Sequence, residues 1–302
     1  LNYADYYKDE LNNPNTSFFI LDSKGDASVG DIDFEKYSWL RSKFNKVNES
    51  DLVIFRRPSK ASETNSFYFY GAAKIGAISG DDRVTAQLIK PYPFTNHIHM
   101  NELENFVWSY KNRTRSDWMY FFNQYGMNQI DQLDFINLNQ LAKDDLDDFE
   151  PQAATEAHQD IQRGNYAVED KEGKSKIRVK QSVFSNKVKD QYKVSCAVCG
   201  LKTRSFLIGS HIVPWSEDKS IRLDPRNGIC LCTFHDKAFD LGYFTLDDDL
   251  KIITSKHVFN DHVVENELSK IDGHKINKPT SNQPIIKYLK FHRENIFEKF
   301  IN

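Results

Sequence analysis

No stretch of this 302-residue chain approaches the roughly 20 consecutive apolar residues of a membrane-spanning helix. The opening residues, LNYADYYKDELNN, lack the basic start, apolar run and cleavage site of a secretory leader. Both absences predict a soluble chain that stays in the cytoplasm and does not work at a membrane. Cysteine is scarce: there are four, all between Cys196 and Cys232, which excludes a disulfide framework spread over the fold and points to one local site in a reducing compartment. There is no internal repeat and no low-complexity tract. What is present is apolar and aromatic: 39% of residues are hydrophobic, with 22 Phe and 14 Tyr. That supply builds sizeable cores and excludes a mainly disordered chain, and the length suggests two domains.

The net charge of −3 conceals an asymmetry. Residues 171–302 hold 23 Lys and Arg against 16 Asp and Glu, and residues 141–170 hold 2 basic against 9 acidic residues. The basic excess peaks over 171–222, with 12 basic against 4 acidic residues. The order is therefore a near-neutral block, an acidic connector and a basic block. A basic half in an acidic protein suggests a polyanion bound locally; a solvated charged face explains the same numbers.

Residues 1–140 read as α+β. Phe34, Tyr37, Leu40 and Phe44 stand near helical spacing, which predicts a helix over 34–44. SFFIL (17–21) is a short apolar run. DLVIFRRP (51–58), SFYFYGAAKIGAI (66–78) and VTAQLIKPYPF (84–94) read as strands, and the breaks at Gly71 and Gly76 suggest a strongly bent small sheet or barrel. Met100, Leu103, Val107 and Tyr110 predict one helix face, and two further helices are expected over 118–125 and 130–141. Residues 141–175 read as a connector, and 176–302 as a second domain with a hairpin over 241–255 and a helix over 283–300.

The chemistry concentrates in SHIVPW, RLDPRNGICL and HDKAFDLGYFTL. His211 in a strand can act as a base if a neighbour fixes its orientation. Asn227, at a Pro–Asn–Gly turn, can brace a loop through its amide. His235, one turn into a following helix, can hold a divalent metal. Cys196-x2-Cys199 has zinc-knuckle spacing. Cys230 and Cys232 point to one side of a strand, so four thiolates from two segments can hold a structural zinc. Two other readings stay open: four buried apolar thiols, or a set that includes Cys232-x2-His235, which would take His235 from catalysis.

These motifs, in this order, resemble the HNH nucleases and their ββα-metal fold, in a branch found in bacterial restriction endonucleases. RVKQSVFSNKVKDQYKVSCAVCGL resembles that branch's lead-in and YLKFHRENIF its closing helix, so the resemblance spans about 120 residues. It implies that His211 is the general base, Asn227 the bracing residue and His235 the metal ligand, with Asp240 a second ligand or supporter. The residue before the base is Ser210, where many of the family carry Asp or His. The implied cofactor is Mg²⁺, Mn²⁺ or another transition ion, beside the possible structural zinc. Arg178, Lys180, Lys202 and Arg204 are candidates for the DNA backbone, as are Arg56, Arg57 and Lys60 in the first domain.

The pattern SWLRSKFNKVNESDLVIFRRP followed by FYFYGAAKIGAI resembles PUA-like barrels of the EVE and YTH type, which hold a flipped modified base in an aromatic cage. That resemblance offers Trp39, Tyr68, Tyr70, Tyr92, Trp108 and Trp118 as cage residues. The expectation is thus an α+β protein with a PUA-like reader (1–140), an acidic connector (141–175) and an HNH endonuclease domain (176–302). It cuts double-stranded DNA containing modified cytosine, with a homodimer or transient pairing on DNA to cleave both strands. The alternatives are a restriction enzyme reading unmodified sequence and a non-catalytic module that binds modified nucleic acid. A secreted toxin is disfavoured by the cysteine usage and the fused reader.

Overall fold

The computed structural model describes residues 2–109, 126–142, 149–256 and 261–299. The chain divides into two compact units: Leu1–Gln159 with Lys174–Lys180, and Asp160–Gly173 with Gln181–Asn302.

The first unit is built on a curled six-stranded mixed sheet. Its strands are β1 (Phe18–Asp22), β2 (Lys36–Leu40), β3 (Leu52–Arg57), β4 (Tyr68–Ser79), β5 (Arg83–His99) and β6 (Met127–Ile130). They lie in the order β2-β5-β4-β3-β1-β6, with β1 and β3 parallel and the other neighbours antiparallel. The long β4–β5 pairing shifts register three times, at Phe69/Gly71, Ala72/Lys74 and Ile75/Ile78. Each shift bends the ribbon and raises its twist, which curls the sheet. Gly71 is required there: a Cβ would stand 2.5 Å from the Phe34 ring.

Alternation along the strands loads both faces. Phe18, Ile20, Leu52 and Ile54 join a core with Tyr3, Tyr7, Phe135 and Leu138, which come from α1 (Tyr3–Tyr6), its flank and α3 (Gln132–Leu141). A second short helix, α2 (Lys8–Leu11), follows α1. Phe19, Leu21, Val53, Phe55, Tyr37 and Trp39 fill the other face. Residues 34–44 are not the helix that spacing predicts. Residues 36–40 pair with β5 from Lys36↔Gln87 to Leu40↔Arg83, and Tyr37 and Trp39 point inward at period two. Cross-strand packing outweighs the local 3.6-residue pattern. The helix expected from Met100 is only a 3₁₀ turn, Met100–Leu103, and Val107 is exposed. Tyr110 and the helix expected over 118–125 lie outside the described residues. The acidic stretch contains a helix, α4 (Pro151–Arg163), whose Ala153, Ala154 and Ala157 are buried; small side chains on one face give an acidic segment a packing surface.

The second unit takes up α5 (Lys174–Gln191) from its middle onward, then β7 (Leu207–His211), β8 (Gly228–Cys232), α6 (Thr233–Asp240), β9 (Phe244–Leu246), β10 (Ile252–Thr254), α7 (His262–Ser269) and α8 (Ile286–Asn295). β7 and β8 pair antiparallel from Leu207↔Cys232 to His211↔Gly228, and β9 and β10 form the expected hairpin. α5 lies close against the β7–β8 ribbon. A Cβ on Gly209 would meet the Ser185 backbone at 2.6 Å, and one on Gly228 would meet the Val188 side chain at 2.3 Å. The two glycines let the helix approach, and that approach brings Phe184 to the imidazole of His211.

Candidate nuclease site

Two clusters sit on either side of the first turn of α6. In the first, the ligand atoms of Cys196, Cys199, Cys232 and His235 all lie within 4.8 Å of one another. The His235 Nδ1 is 3.7 Å from the Cys196 Sγ and 3.1 Å from the Cys232 Sγ, and the Cys199 and Cys232 sulfurs are 4.0 Å apart. Zinc–sulfur bonds of about 2.3 Å in a tetrahedron make ligand–ligand edges of about 3.8 Å, so the set fits a four-coordinate zinc. Burial lowers the pKa of His235, keeping the neutral imidazole that a metal needs. Burial pushes the Cys196 thiol up to about 12 without a cation beside it. An ion would reverse that preference by stabilising the thiolate.

This geometry bears on two expectations. His235 stands with the cysteines, as in the reading that takes Cys232-x2-His235 together, rather than apart from them. Cys230 is outside the cluster. The cluster is made by Cys196, Cys199, Cys232 and His235 instead. Cys230 is fully buried, and burial pushes its thiol up to about 12.

The second cluster surrounds His211, the last residue of β7. Its Nε2 is 3.0 Å from the carbonyl of Arg222. A carbonyl only accepts, so Nε2 carries the hydrogen and Nδ1 keeps its lone pair. Phe184 stacks on one face of the ring at 3.9 Å between centroids and 12° between planes, and Trp215 meets it edge-on at 5.6 Å. Burial, and secondarily the Arg222 charge, bring its pKa down to about 4, so the ring is neutral at physiological pH. Asn227 braces the loop after the base: its Oδ1 accepts from the Val213 N–H at 2.8 Å and its Nδ2 donates to the Val213 carbonyl at 3.1 Å. The turn that carries Asn227 is held in turn by Asp224, which accepts from the Tyr288 hydroxyl on α8 at 3.0 Å.

Next to His211, Ser210 is buried, and its hydroxyl makes no hydrogen bond in normal geometry. It lies close enough to Asp236 to oppose the rise that burial imposes on that carboxyl. Asp236 and Asp240 are four residues apart on α6, hence on one face. Desolvation and the like charge of Asp236 push Asp240 up to about 6. Two carboxylates that repel each other, one of them beside the buried Ser210 hydroxyl, form an oxygen set suited to a hard divalent cation. Asp236 was not among the residues singled out in the sequence. The signal was there, in the spacing Asp236-x3-Asp240, but the neighbouring histidine drew the assignment.

The candidates for DNA contact divide. Arg56 is locked to Asp22 by two hydrogen bonds of 2.5 Å, and Arg57 pairs with the buried Asp33, so neither is available to a phosphate. Lys180 is buried as well. Lys60, Arg178 and Lys202 are exposed, and Arg204 is half-buried. The cage candidates do not converge. Trp39, Tyr68 and Tyr70 belong to one core of the sheet, Trp108 to the other, and Tyr92 packs against that second core. Residues rich enough in ring surface to stack a base are the ones used first to fill the interior. Tyr68 and Tyr70 are 6.2 Å apart, and Tyr68 also stacks on His97 at 5.0 Å. Trp118 lies outside the described residues.

Residues 196–247 match the family model described as HNH endonuclease, which places an HNH endonuclease domain on the segment containing both clusters. No curated protein matches the chain. Among solved structures, it is similar to one described as "Modification dependent TagI restriction endonuclease", at 13% identity and a TM-score of 0.27, over 98% of this chain and 90% of that one.

Proposed function

We propose that the chain is a metal-dependent DNA endonuclease in which His211 is the general base. The observation that carries this reading is the fixed tautomer: with Nε2–H committed to the Arg222 carbonyl, the Nδ1 of a neutral ring keeps its lone pair to accept a proton. His211 takes a proton from water; the water oxygen bonds to phosphorus as the bridging P–O bond breaks. Asn227 and Phe184 keep the ring in place throughout. Ser210, Asp236 and Asp240 would hold a divalent cation such as Mg²⁺ or Mn²⁺, which supplies stabilisation of the charge that develops on the phosphoryl oxygens. The Cys₃His set would hold a structural zinc that ties the knuckle to the start of α6.

The proposal extends to substrate selection. A small ribbon-and-helix nuclease contacts mostly backbone, so selection of DNA falls to the first unit. The chain's resemblance to base-reading barrels supports modified cytosine as the feature read, and duplex cleavage by single-strand cutters calls for two copies on the DNA. One plasmid prepared with and without cytosine modification, incubated with Mn²⁺ or Mg²⁺, tests both layers. Cleavage of the modified plasmid alone, abolished by EDTA and lowered about 10²- to 10⁴-fold in His211→Ala, is the expected result. Equal cutting of both plasmids would end the modification reading and favour a reader of unmodified sequence. Normal cutting by His211→Ala would remove the proposed base.

A further inference from the structure

The carbonyl that fixes His211 belongs to a residue whose side chain does something else. The Arg222 guanidinium is 4% exposed. Its Nε donates to the Trp215 carbonyl at 2.8 Å, its Nη1 to the Val168 carbonyl at 2.8 Å, and its Nη2 pairs with the Asp170 carboxylate at 2.7 Å. It also lies over the Trp215 ring, 4.9 Å from the centroid. Two of these four contacts, to the Trp215 carbonyl and ring, organise the loop that carries the base-fixing carbonyl, and two reach out of the sequence motif into the acidic stretch. That stretch is laid along the same loop by its backbone. The Val168 N–H donates to the Lys219 carbonyl at 3.1 Å, and the Leu223 N–H donates to the Tyr166 carbonyl at 2.9 Å. Lys219 adds a second ion pair to Asp170. Segment 166–170 and loop 215–223 are thus closed on each other by main-chain bonds at both ends and by one buried arginine between them.

We propose that residues 166–170 are a working part of the nuclease site, a clip whose Asp170–Arg222 pair positions His211. The chain of contacts is short. Asp170 and the Val168 carbonyl hold the guanidinium; the guanidinium holds Arg222 and Trp215; the Arg222 carbonyl holds Nε2–H, and the Trp215 edge limits ring rotation. If the guanidinium loses its anchor, the carbonyl gains freedom, and an imidazole without a fixed acceptor at Nε2 exchanges its proton between the two nitrogens. In the other tautomer Nδ1 carries hydrogen and cannot accept one. Asp170 and Arg222 are positioning residues, acting through His211 and touching no substrate. The proposal rests on His211 being the base, and it makes the connector more than a tether.

The test uses the full-length chain and Asp170→Asn. The Asp170 side chain is 59% exposed, so the variant keeps its fold. Glu294→Gln is the control, because its side chain is also 59% exposed, is ion-paired, and undergoes the same charge change away from the clip. Two readouts are taken: the single-turnover rate on a modified plasmid with Mn²⁺, at saturating enzyme, and the ¹⁵N signals of the His211 ring in histidine-labelled protein. Asp170→Asn should lower the rate about three- to tenfold, leave the DNA dissociation constant unchanged, and convert the His211 pattern from one tautomer to a mixture. Asp170→Glu should restore both, and Glu294→Gln should change neither. A rate loss with an unchanged His211 pattern, or an unchanged rate and pattern, overturns the clip. The ring signals are readable without cleavage, so an inactive preparation still decides it. If His211→Ala cuts normally, the base assignment fails; if it is inactive while Asp170→Asn behaves as the unaltered protein, only the clip fails.

Discussion

Replacing Cys199 and Cys230 by serine, one at a time, separates a zinc site from four packed thiols, because packing and coordination order the two variants oppositely. Cys199 is exposed and Cys230 is fully buried. Without a metal, Cys199→Ser exchanges one small exposed group for another and should change stability by no more than about 0.5 kcal/mol. Cys230→Ser buries a hydroxyl, at a cost of about 1–3 kcal/mol. With zinc, Cys199 supplies one of four ligands in a cluster whose atoms lie within 4.8 Å, and a structural zinc of this kind contributes roughly 10–16 kcal/mol of folding energy at neutral pH. Loss of a ligand should then cost several kcal/mol and most of the bound metal, while Cys230→Ser keeps its zinc. The assay is zinc content per chain after gel filtration, with thermal unfolding of the same samples. The expectation is about one zinc in the unaltered protein and in Cys230→Ser, and far less in Cys199→Ser with the larger fall in Tm. A protein that carries no zinc, or a Cys230→Ser variant that loses it while Cys199→Ser does not, refutes the assignment.

Two more outcomes follow from the same unit. Asp236→Asn and Asp240→Asn should each raise the Mn²⁺ concentration needed for half-maximal cleavage by at least about tenfold without altering zinc content, measured by metal titration of plasmid cleavage; an unchanged metal requirement moves the ion elsewhere. His292 accepts from the Thr245 hydroxyl at Nδ1 and donates to the Phe239 carbonyl from Nε2, and burial brings its pKa from 6.5 down to about 4. The unfolded chain therefore binds a proton at higher pH than the folded one, so stability is full above pH 6.5 and declines as pH falls toward 4, by about 3 kcal/mol in total. NMR titration of the His292 ring checks this, and a midpoint near 6.5 would refute it.

The nuclease unit was legible to the extent that its chemistry is written in short local motifs. His211, Asn227 and the knuckle cysteines sit where strand, turn and helix periodicity put them, and the structure joins them through β7, β8 and α6. The bent sheet was legible from Gly71 and Gly76, where the ribbon slips register. What the sequence hid was tertiary in origin. Tyr37 and Trp39 fit a helix face and a strand face alike, and only β5 decides between them. Arg56 and Arg57 look like phosphate ligands until Asp22 and Asp33 are found beside them. Val168 and Asp170 lie in an acidic, apolar-poor segment that reads as a linker, because its partner, Arg222, is about fifty residues away in sequence.

The place of His235 beside the cysteines has a geometric cause. Successive residues on a helix turn by about 100°, so His235 and Asp236, though adjacent, face different surroundings. Cys232 caps the helix and His235 lies three residues on, which returns it to the side of the knuckle. Asp236 and Asp240, four apart, share the side facing Ser210. The spacing back to the last cysteine sorts the side chains: three places the histidine with the sulfurs, and four places Asp236 beside Ser210. Soft sulfur and imidazole then fall on one side and hard oxygen on the other, which suits the first set to zinc and the second to Mg²⁺ or Mn²⁺.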